Sequence, residues 1–334
     1  MDKSRGAIVC LVTLGVCLLA GCNDAKAPPS GRATGRSGAA AADKEEEVRP
    51  REEPPKRPAL APVVEVQRED YAEVRARFRT KLSHQGPSPQ QEPMPRCPAG
   101  VTEVEFASGP LRLKAWVNRP PQDGPARPAV LFVHGGFGFG PPDWDMAQPY
   151  RDAGYVVLTP MLRGENGQPG SFSLLYDEVD DVLAAAKYLA KQPYVDAERL
   201  YLAGHSSGGG IALLAAMASG QFRAVASFDG LPDMAAVFKP GSEANEVRFD
   251  LNDPRELQVR SALAYAASFK CPARLYYSRQ AWEHMHLTSR RTAEVAKERG
   301  LDVEAHLVEG DHLSMVQPAM KQSIEFFGAK VPEK

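Results

Sequence analysis

From about residue 100 onward, the chain alternates between short apolar runs and longer segments with helical periodicity. Short runs rich in β-branched and aromatic residues are typical of strands, whereas apolar positions three and four residues apart indicate amphipathic helices. The predicted strands are 101–107, 111–117, 129–133, 155–159, 200–203, 224–228, 273–277 and 303–308, and the predicted helices are 143–153, 177–191, 208–219, 287–299 and 314–328. The first two strands are consecutive and the later ones are separated by helices. This order predicts an α/β fold with a mostly parallel eight-stranded sheet that is covered by helices on both faces.

The first 22 residues have a different pattern. Lys3 and Arg5 precede an uncharged apolar run at 6–20 that is too short to span a bilayer stably, which is typical of a secretory signal. The sequence Leu-Ala-Gly-Cys at 19–22 resembles the bacterial lipobox, and this resemblance implies cleavage before Cys22 and attachment of lipid to its thiol. We therefore expect a lipoprotein signal peptide at 1–21 and an exported protein that is lipid-anchored to a bacterial membrane, on its periplasmic or cell-surface side. An ordinary secretory signal or an N-terminal anchor is the alternative.

Residues 22–68 are rich in Ala, Gly, Pro, Arg and Glu and contain few large apolar side chains. Such a segment cannot offset the entropy lost on folding, so we expect a disordered tether. An N-terminal arm follows at 69–96. Asp70 begins a capping-box pattern there, and the apolar periodicity after it predicts a helix over 70–82 that docks on the domain behind it. The remaining residues, 97–334, suffice for one α/β domain of the kind predicted above.

Composition narrows the choice of function. Of the 334 residues, 43% are apolar and 25% are charged, which excludes a wholly disordered chain and a polytopic membrane protein. The formal net charge of −2 leaves no basic excess for nucleic-acid binding through phosphate neutralisation. Once a signal is removed and Cys22 is acylated, Cys97 and Cys271 remain. They could form one disulfide or stay as two thiols, and the sequence leaves both alternatives open.

The strongest chemical signal is Gly-His-Ser-Ser-Gly at 204–208, between a predicted strand and a predicted helix. A serine on a sharp strand-to-helix turn needs small neighbours, and the turn exposes its hydroxyl at the edge of the sheet. The N-terminus of the following helix favours developing negative charge. We therefore predict that Ser206 is a nucleophile and that the Ser207 N–H contributes to an oxyanion hole.

A serine nucleophile requires a base and a group that orients the base. His312 follows the last predicted strand, so it lies at the same sheet edge as Ser206 and is the predicted base. The acid is expected in the loop after the penultimate strand, where Glu283 is the only carboxylate between 278 and 285. Asp229, directly after the preceding strand, is the alternative to Glu283.

The loop after strand 129–133 reads His-Gly-Gly-Phe-Gly-Phe-Gly at 134–140. Glycines let its backbone approach a substrate, and we predict the second oxyanion N–H at Gly136, with Phe137 as second choice. A phosphate-cradling loop is disfavoured because neither G-K-[ST] nor G-x-G-x-x-G is present. His284 and His286 form an H-x-H that could face a metal, but solvated side chains are the preferred interpretation, so we expect no metal site there.

These residues resemble the α/β-hydrolase superfamily over 97–334. Four further motifs resemble the catalytic domain of the prolyl oligopeptidase group and the related dienelactone-hydrolase-like esterases. They are Leu-Arg-Gly-Glu-Asn-Gly at 162–167, Asp-Glu-Val-Asp-Asp-Val at 177–182, Gln-Pro-Tyr-Val-Asp-Ala-Glu-Arg at 192–199 and Gly-His-Ser at 204–206. The resemblance implies a cofactor-free catalytic triad of Ser206, His312 and an acid. The family usually has Asp in the acid loop, where this chain has Glu283. The group also carries a β-propeller, which residues 23–96 are too short and too polar to form.

We therefore expect a serine hydrolase that cleaves ester or amide bonds of a small molecule or peptide through an acyl-enzyme, with carboxylesterase-like preference. A prolyl oligopeptidase-type serine peptidase is the first alternative, and a non-catalytic lipid-anchored scaffold with the hydrolase fold is the second. Residues 231–268 are the one sizeable insertion. They are expected to form a small lid over the acyl pocket, with Phe238, Leu251 and Tyr265 in its wall.

Overall fold

The computed structural model describes residues 64–121, 124–242 and 244–330. Within these ranges the strands are β1 (Thr102–Ser108), β2 (Leu111–Val117), β3 (Arg127–Val133), β4 (Val156–Pro160), β5 (Val195–His205), β6 (Val225–Phe228), β7 (Ala273–Ser278) and β8 (Val303–Val308). The helices are α1 (Tyr71–Arg77), α2 (Pro141–Met146), α3 (Gln148–Asp152), α4 (Glu178–Leu189), α5 (Ser207–Ala218), α6 (Pro254–Gln258), α7 (Glu283–Glu298) and α8 (Val316–Ala329). Two 3₁₀ turns cover Met234–Ala236 and Ala262–Ser268.

All eight strands form one sheet in the order β1-β2-β4-β3-β5-β6-β7-β8. β2 is antiparallel to both of its neighbours, and the pairs from β4 to β8 are parallel. The predicted mostly parallel sheet with an antiparallel start is therefore confirmed. The parallel strands β3, β5, β6, β7 and β8 all end at one edge, so the loops that follow them gather there.

Continuous apolar runs form the central strands because helices cover both faces of the sheet. Alternate residues of β3 illustrate this arrangement. Leu131 belongs to the core on the side of α4 and α5, whereas Phe132 packs with Tyr150 of α3 and Phe327 of α8 on the other side. These two cores hold the sheet rigid beneath the loops at its edge.

The arm helix is shorter than its apolar periodicity predicts. Asp70 caps α1 by accepting hydrogen bonds from the Ala72 and Glu73 N–H groups, as its side chain chemistry suggests. The helix ends at Arg77 because Phe78 takes an extended conformation, and the chain to Leu82 is not helical. α1 packs on the domain through the buried Tyr71, whose hydroxyl donates to the Val259 carbonyl over 2.8 Å.

The second half of the insertion at 231–268 is part of the core. Tyr265 has no exposed surface, and its ring centroid lies 5.1 Å from that of Tyr71. The prediction that Tyr265 lines a pocket under a lid is therefore wrong, because this residue joins the insertion to the arm helix. Phe238 and Leu251 are half-buried against the same core.

Cys97 and Cys271 are both free thiols. The predicted signal peptide, Cys22 and the tether up to residue 63 lie outside the described residues. In the part of the chain that the structure describes, no helix is both long and apolar enough to cross a membrane.

Candidate active site

Ser206 lies on a sharp turn between β5 and α5. Its backbone has φ 55° and ψ −123°, a left-handed conformation that a non-glycine residue adopts only under local constraint. Its N–H donates to the Phe228 carbonyl over 2.9 Å, which ties the turn to the end of β6. A side chain at Gly204 would overlap the Gly208 carbonyl, and one at Gly208 would overlap the His134 carbonyl. The two glycines are therefore required because the backbone is crowded around this serine.

His312 and Asp229 meet beside this turn. His312 lies between β8 and α8, and its side chain is 39% exposed. Asp229 directly follows β6, has φ 44° and is 1% exposed. The His312 Nδ1 atom lies 3.1 Å from Asp229 Oδ2. A carboxylate can only accept, so Nδ1 carries the proton and Nε2 is left as the base.

The structure corrects the preference for Glu283. Glu283 is the first residue of α7, is exposed, and its carboxylate has no hydrogen-bond partner among the described residues. The end of β7 contributes Ser278 instead, whose N–H and hydroxyl each donate to Asp229 over 2.7 Å. The carboxylate that contacts His312 is thus Asp229, held by the neighbouring strand.

The charge on Asp229 is stabilised within this arrangement. Burial raises the pKa of Asp229, but the hydrogen bonds from His312 and Ser278 outweigh burial, so the net pKa is below its usual value. His286, half of the H-x-H, donates from Nε2 to the Ser278 carbonyl over 2.8 Å. His286 therefore supports the serine that holds Asp229.

His205, the residue before Ser206, fixes the His312 loop. Its Nε2–H donates to the His312 carbonyl over 2.9 Å, and the two rings lie 4.5 Å apart. Burial, together with repulsion from His312, lowers the pKa of His205 to about 4. His205 is thus neutral at physiological pH, and it adds no charge that would oppose an imidazolium on His312.

The Ser206 hydroxyl has no hydrogen-bond partner among the described residues, and neither does His312 Nε2. Hydrogen bonds between a nucleophile and its base are often long without substrate and tighten when substrate binds. The structure therefore brings His312 and Asp229 into contact and places Ser206 at the same sheet edge, without a bond between Ser206 and His312.

Two backbone N–H groups beside Ser206 make no hydrogen bond to the described residues. The Ser207 N–H is the first of α5 and has no acceptor in the described part of the protein, and the same holds for the Gly136 N–H. The loops are joined by Ser207 Oγ, which donates to the Gly136 carbonyl over 2.7 Å. Gly136 has φ 70°, which glycine adopts without strain. The second-choice donor, Phe137 N–H, is already bonded, to Gln90 Oε1 at 3.1 Å.

A buried ion pair supports the loop from behind. His134 Nδ1 lies 3.0 Å from the Gly135 carbonyl, and Nε2 lies 3.0 Å from Glu165 Oε2. Both ring nitrogens face acceptors, so both carry protons. Burial lowers the pKa of His134, but the charge and hydrogen bond of Glu165 reverse this and raise it to about 9. Asn166 closes the loop by bonding both the N–H and the carbonyl of Phe139.

Comparisons with known proteins bear on the fold. A model of the prolyl oligopeptidase family, Peptidase S9, matches residues 143–278. The solved structure of acylaminoacyl peptidase from Pyrococcus horikoshii is similar with a TM-score of 0.59 at 23% identity, over 70% of this chain and 42% of that one. This chain has the α/β-hydrolase fold. A Klebsiella pneumoniae structure, provisionally described as a dienelactone hydrolase, shares the α/β-hydrolase fold at a TM-score of 0.51 and 16% identity, over 68% of this chain and 98% of that one.

One curated relative matches over a shorter span. The uncharacterised peptidase YtmA of Bacillus subtilis is 26% identical over 159 residues, which are 46% of this chain and 58% of YtmA. The chain thus spans less than two thirds of both the relative and the acylaminoacyl peptidase. The solved structures therefore show the fold, and the reaction is taken up below as a proposal.

Sequence reasoning missed several residues that the structure places around the site. Glu165 and Asn166 lie within the motif at 162–167, so the resemblance marked their position but not their contacts. Only the position of Ser278 at the end of β7, where the acid was expected, pointed to a role in the site. Gln90, in the arm, carried no signal, because its contact with the loop at 134–140 joins segments 47 residues apart.

Proposed function

We propose that this protein is a serine hydrolase in which Ser206 is the nucleophile, His312 the general base and Asp229 the orienting acid. The observation that carries the proposal is the hydrogen bond from His312 Nδ1 to a buried carboxylate beside a strained serine turn. This arrangement selects the tautomer that a base needs. Six glycines in residues 134–140 and 204–208 allow the surrounding backbone to approach an acyl group closely.

The reaction follows from these positions. Ser206 Oγ attacks the carbonyl carbon while His312 Nε2 takes the hydroxyl proton, and the Gly136 and Ser207 N–H groups stabilise the oxyanion. Collapse breaks the bond to the leaving group, to which His312 returns the proton. Water then attacks the acyl-enzyme with His312 again as base, releasing the acid and free Ser206. Asp229 stays ionised throughout and stabilises the imidazolium.

Peptide amides are the substrate class that we propose first. The family match over residues 143–278 and the relation to a curated peptidase support this choice over the ester preference expected from the sequence. Both classes share the acyl-enzyme chemistry. They differ in the leaving group, because an amine must be protonated by His312 before it departs, whereas an alkoxide is a better leaving group.

The test of the catalytic proposal uses a fluorophosphonate on the full chain. Ser206 Oγ would form a bond to phosphorus as the P–F bond breaks, with His312 taking the proton. We expect labelling in the wild type and none in Ser206→Ala, with Ser219→Ala, at the opposite end of α5, as the control that retains labelling. A folded wild type that is not labelled would contradict the proposal and favour a scaffold. Hydrolysis of a peptide anilide and an ester with the same acyl group then decides the substrate class.

We also propose that the protein is a lipoprotein anchored through Cys22. The support is the Leu-Ala-Gly-Cys sequence at 19–22 after a charged start and an apolar run. In a bacterial host, Cys22→Ser should release the exported protein from the membrane fraction. Cys17→Ser, within the apolar run, is the control that should remain with the membrane. Retention of Cys22→Ser would contradict the anchor.

A further inference from the structure

The arm crosses the candidate active site before it enters β1. The Phe172 N–H donates to the Gly86 carbonyl over 3.1 Å, and the Ser88 N–H donates to the Gly164 carbonyl over 2.9 Å. Further along, Asn166 donates to the Pro93 carbonyl over 3.0 Å. The segment 86–93 is therefore fixed at both of its ends to the chain at 164–172.

Within this segment, two side chains reach the loop. Ser88 Oγ lies within hydrogen-bonding distance of the carbonyl oxygens of Gln90 and Phe137. Gln90 Oε1 accepts from the Phe137 N–H over 3.1 Å. Ser88 and Gln90 thus engage both polar groups of Phe137, the carbonyl and the N–H. Because the N–H is a donor, the oxygen of the Gln90 amide must face the loop and its NH₂ must face away.

The bond to Phe137 bears on its neighbour Gly136. The Gly136 carbonyl belongs to the same peptide unit as the Phe137 N–H, and peptide units are planar. Gln90 holds one end of this unit through the N–H, and Ser207 holds the other end through the carbonyl. A unit held at both ends cannot rotate, so it fixes the ψ of Gly136. The Gly136 N–H belongs to the preceding peptide unit, whose Gly135 carbonyl lies 3.0 Å from His134 Nδ1. With a peptide unit held on each side, Gly136 keeps its φ of 70° and its N–H keeps its direction.

We propose that Gln90 is a positioning residue of the oxyanion site, acting through the Phe137 N–H to hold the Gly136 N–H towards the reacting carbonyl. This role rests on the proposed function. It assigns the arm a part in the reaction in addition to covering the core. A neutral amide suits the position, because a carboxylate there would place negative charge beside the developing oxyanion.

The test compares Gln90→Met with Gln91→Met in the full chain. Methionine has the length of glutamine but cannot replace its acceptor. Gln91 is the adjacent residue, is exposed, and makes no side-chain hydrogen bond to the described residues. Three quantities are measured: kcat and KM for a peptide anilide, the affinity for a peptidyl trifluoromethyl ketone, and the affinity for the matching secondary alcohol. The ketone adds to a serine and forms an oxyanion, whereas the alcohol does not.

We expect Gln90→Met to lower kcat about tenfold with KM unchanged, and to lower the affinity for the ketone by a similar factor. Loss of a whole oxyanion donor costs about 100-fold or more, and this variant misplaces the donor without removing it. Alcohol binding and the midpoint of thermal unfolding should match Gln91→Met. Equal kcat in the two variants would overturn the role of Gln90. A rise in kcat/KM in Gln90→Met would also overturn it, because Gln90 would then compete with substrate. A wild type that neither hydrolyses the anilide nor binds the ketone contradicts the proposed function itself.

Discussion

The loops after β6 and β7 are neighbours at one edge of the sheet, and each carries a carboxylate. Asp229 follows β6 at once, is buried and accepts hydrogen bonds from His312 and from both donors of Ser278. Glu283 comes five residues after the end of β7, in the first turn of α7, and is exposed. An acidic side chain is favoured in the first turn of a helix, so the position of Glu283 is explained without any contact to His312.

The difference shows that the hydrogen-bond donors around a carboxylate decide which acid contacts His312, more than the strand that the acid follows. At the end of β7, a serine stands where a carboxylate was expected, and it stabilises the carboxylate of β6. The Asp229 N–H also donates to the Tyr276 carbonyl over 2.8 Å, so β7 fixes the backbone as well as the side chain. The two loops therefore form one unit, in which β6 supplies the acid and β7 supplies the hydrogen bonds.

The largest expected effect comes from Asp229→Asn. The amide NH₂ would donate to His312 Nδ1 and move the ring proton to Nε2, so that the ring could not accept the Ser206 proton. We expect kcat to fall about 10,000-fold, and the activity of Ser206→Ala gives the residual rate without the nucleophile. Steady-state hydrolysis measures this, and a loss of less than tenfold would remove Asp229 from the proposed triad.

Ser278→Ala should have an intermediate effect. It removes one of the side-chain donors to Asp229 and leaves the backbone donor, so kcat should fall about tenfold, the equivalent of one net hydrogen bond. Ser173→Ala is the matched control, because Ser173 donates to buried Glu178 through both its N–H and its hydroxyl, away from His312. Both variants should lose about 1–2 kcal/mol of unfolding free energy. An equal loss of activity in the two variants would show that Ser278 acts through stability alone.

The contribution of Asp229 to the free energy of unfolding should depend on pH. The pKa of Asp229 is lowered in the folded state, so its contribution is present above the unfolded value of 3.8 and is lost as pH falls through the folded value. The stability difference between wild type and Asp229→Asn should therefore shrink from pH 5 towards pH 3. Urea unfolding at both pH values measures it, and a growing difference would reverse the sign argued here.

The smallest effect is expected for Glu283→Gln. Its carboxylate faces solvent, so kcat/KM should change less than twofold and stability by less than about 0.5 kcal/mol. The same assay used for Asp229→Asn checks this. A severe loss of kcat would restore Glu283 as a catalytic acid and contradict the contact that the structure shows.

Much of the fold was predictable from local pattern. The observed β2 and β8 match the predicted strands, and α5 starts within one residue of its prediction, because continuous apolar runs and a glycine-rich turn are local signals. The end of α1 was not predictable from periodicity, since Phe78 leaves the helix to pack its ring against Tyr176. Tyr265 was misassigned because its burial depends on the arm helix, almost 200 residues away in the chain.

The candidate site divides in the same way. Ser206 and His312 were recognisable because each is defined by the strand before it and the helix after it. Choosing between Asp229 and Glu283 needed the direction of two side chains across a strand pair, which chain order does not contain. The contact between Gln90 and Phe137 likewise depends on where the arm crosses the sheet edge.

The most direct test of this account is the rate constant for fluorophosphonate labelling of Ser206, measured in the wild type, Asp229→Asn and Glu283→Gln. This rate reports how strongly His312 activates the serine and needs no knowledge of the substrate. The account predicts that Glu283→Gln reacts like the wild type and that Asp229→Asn reacts at least 100-fold more slowly, on the scale of a disabled triad. Fast labelling of Asp229→Asn together with slow labelling of Glu283→Gln would contradict the assignment of the acid.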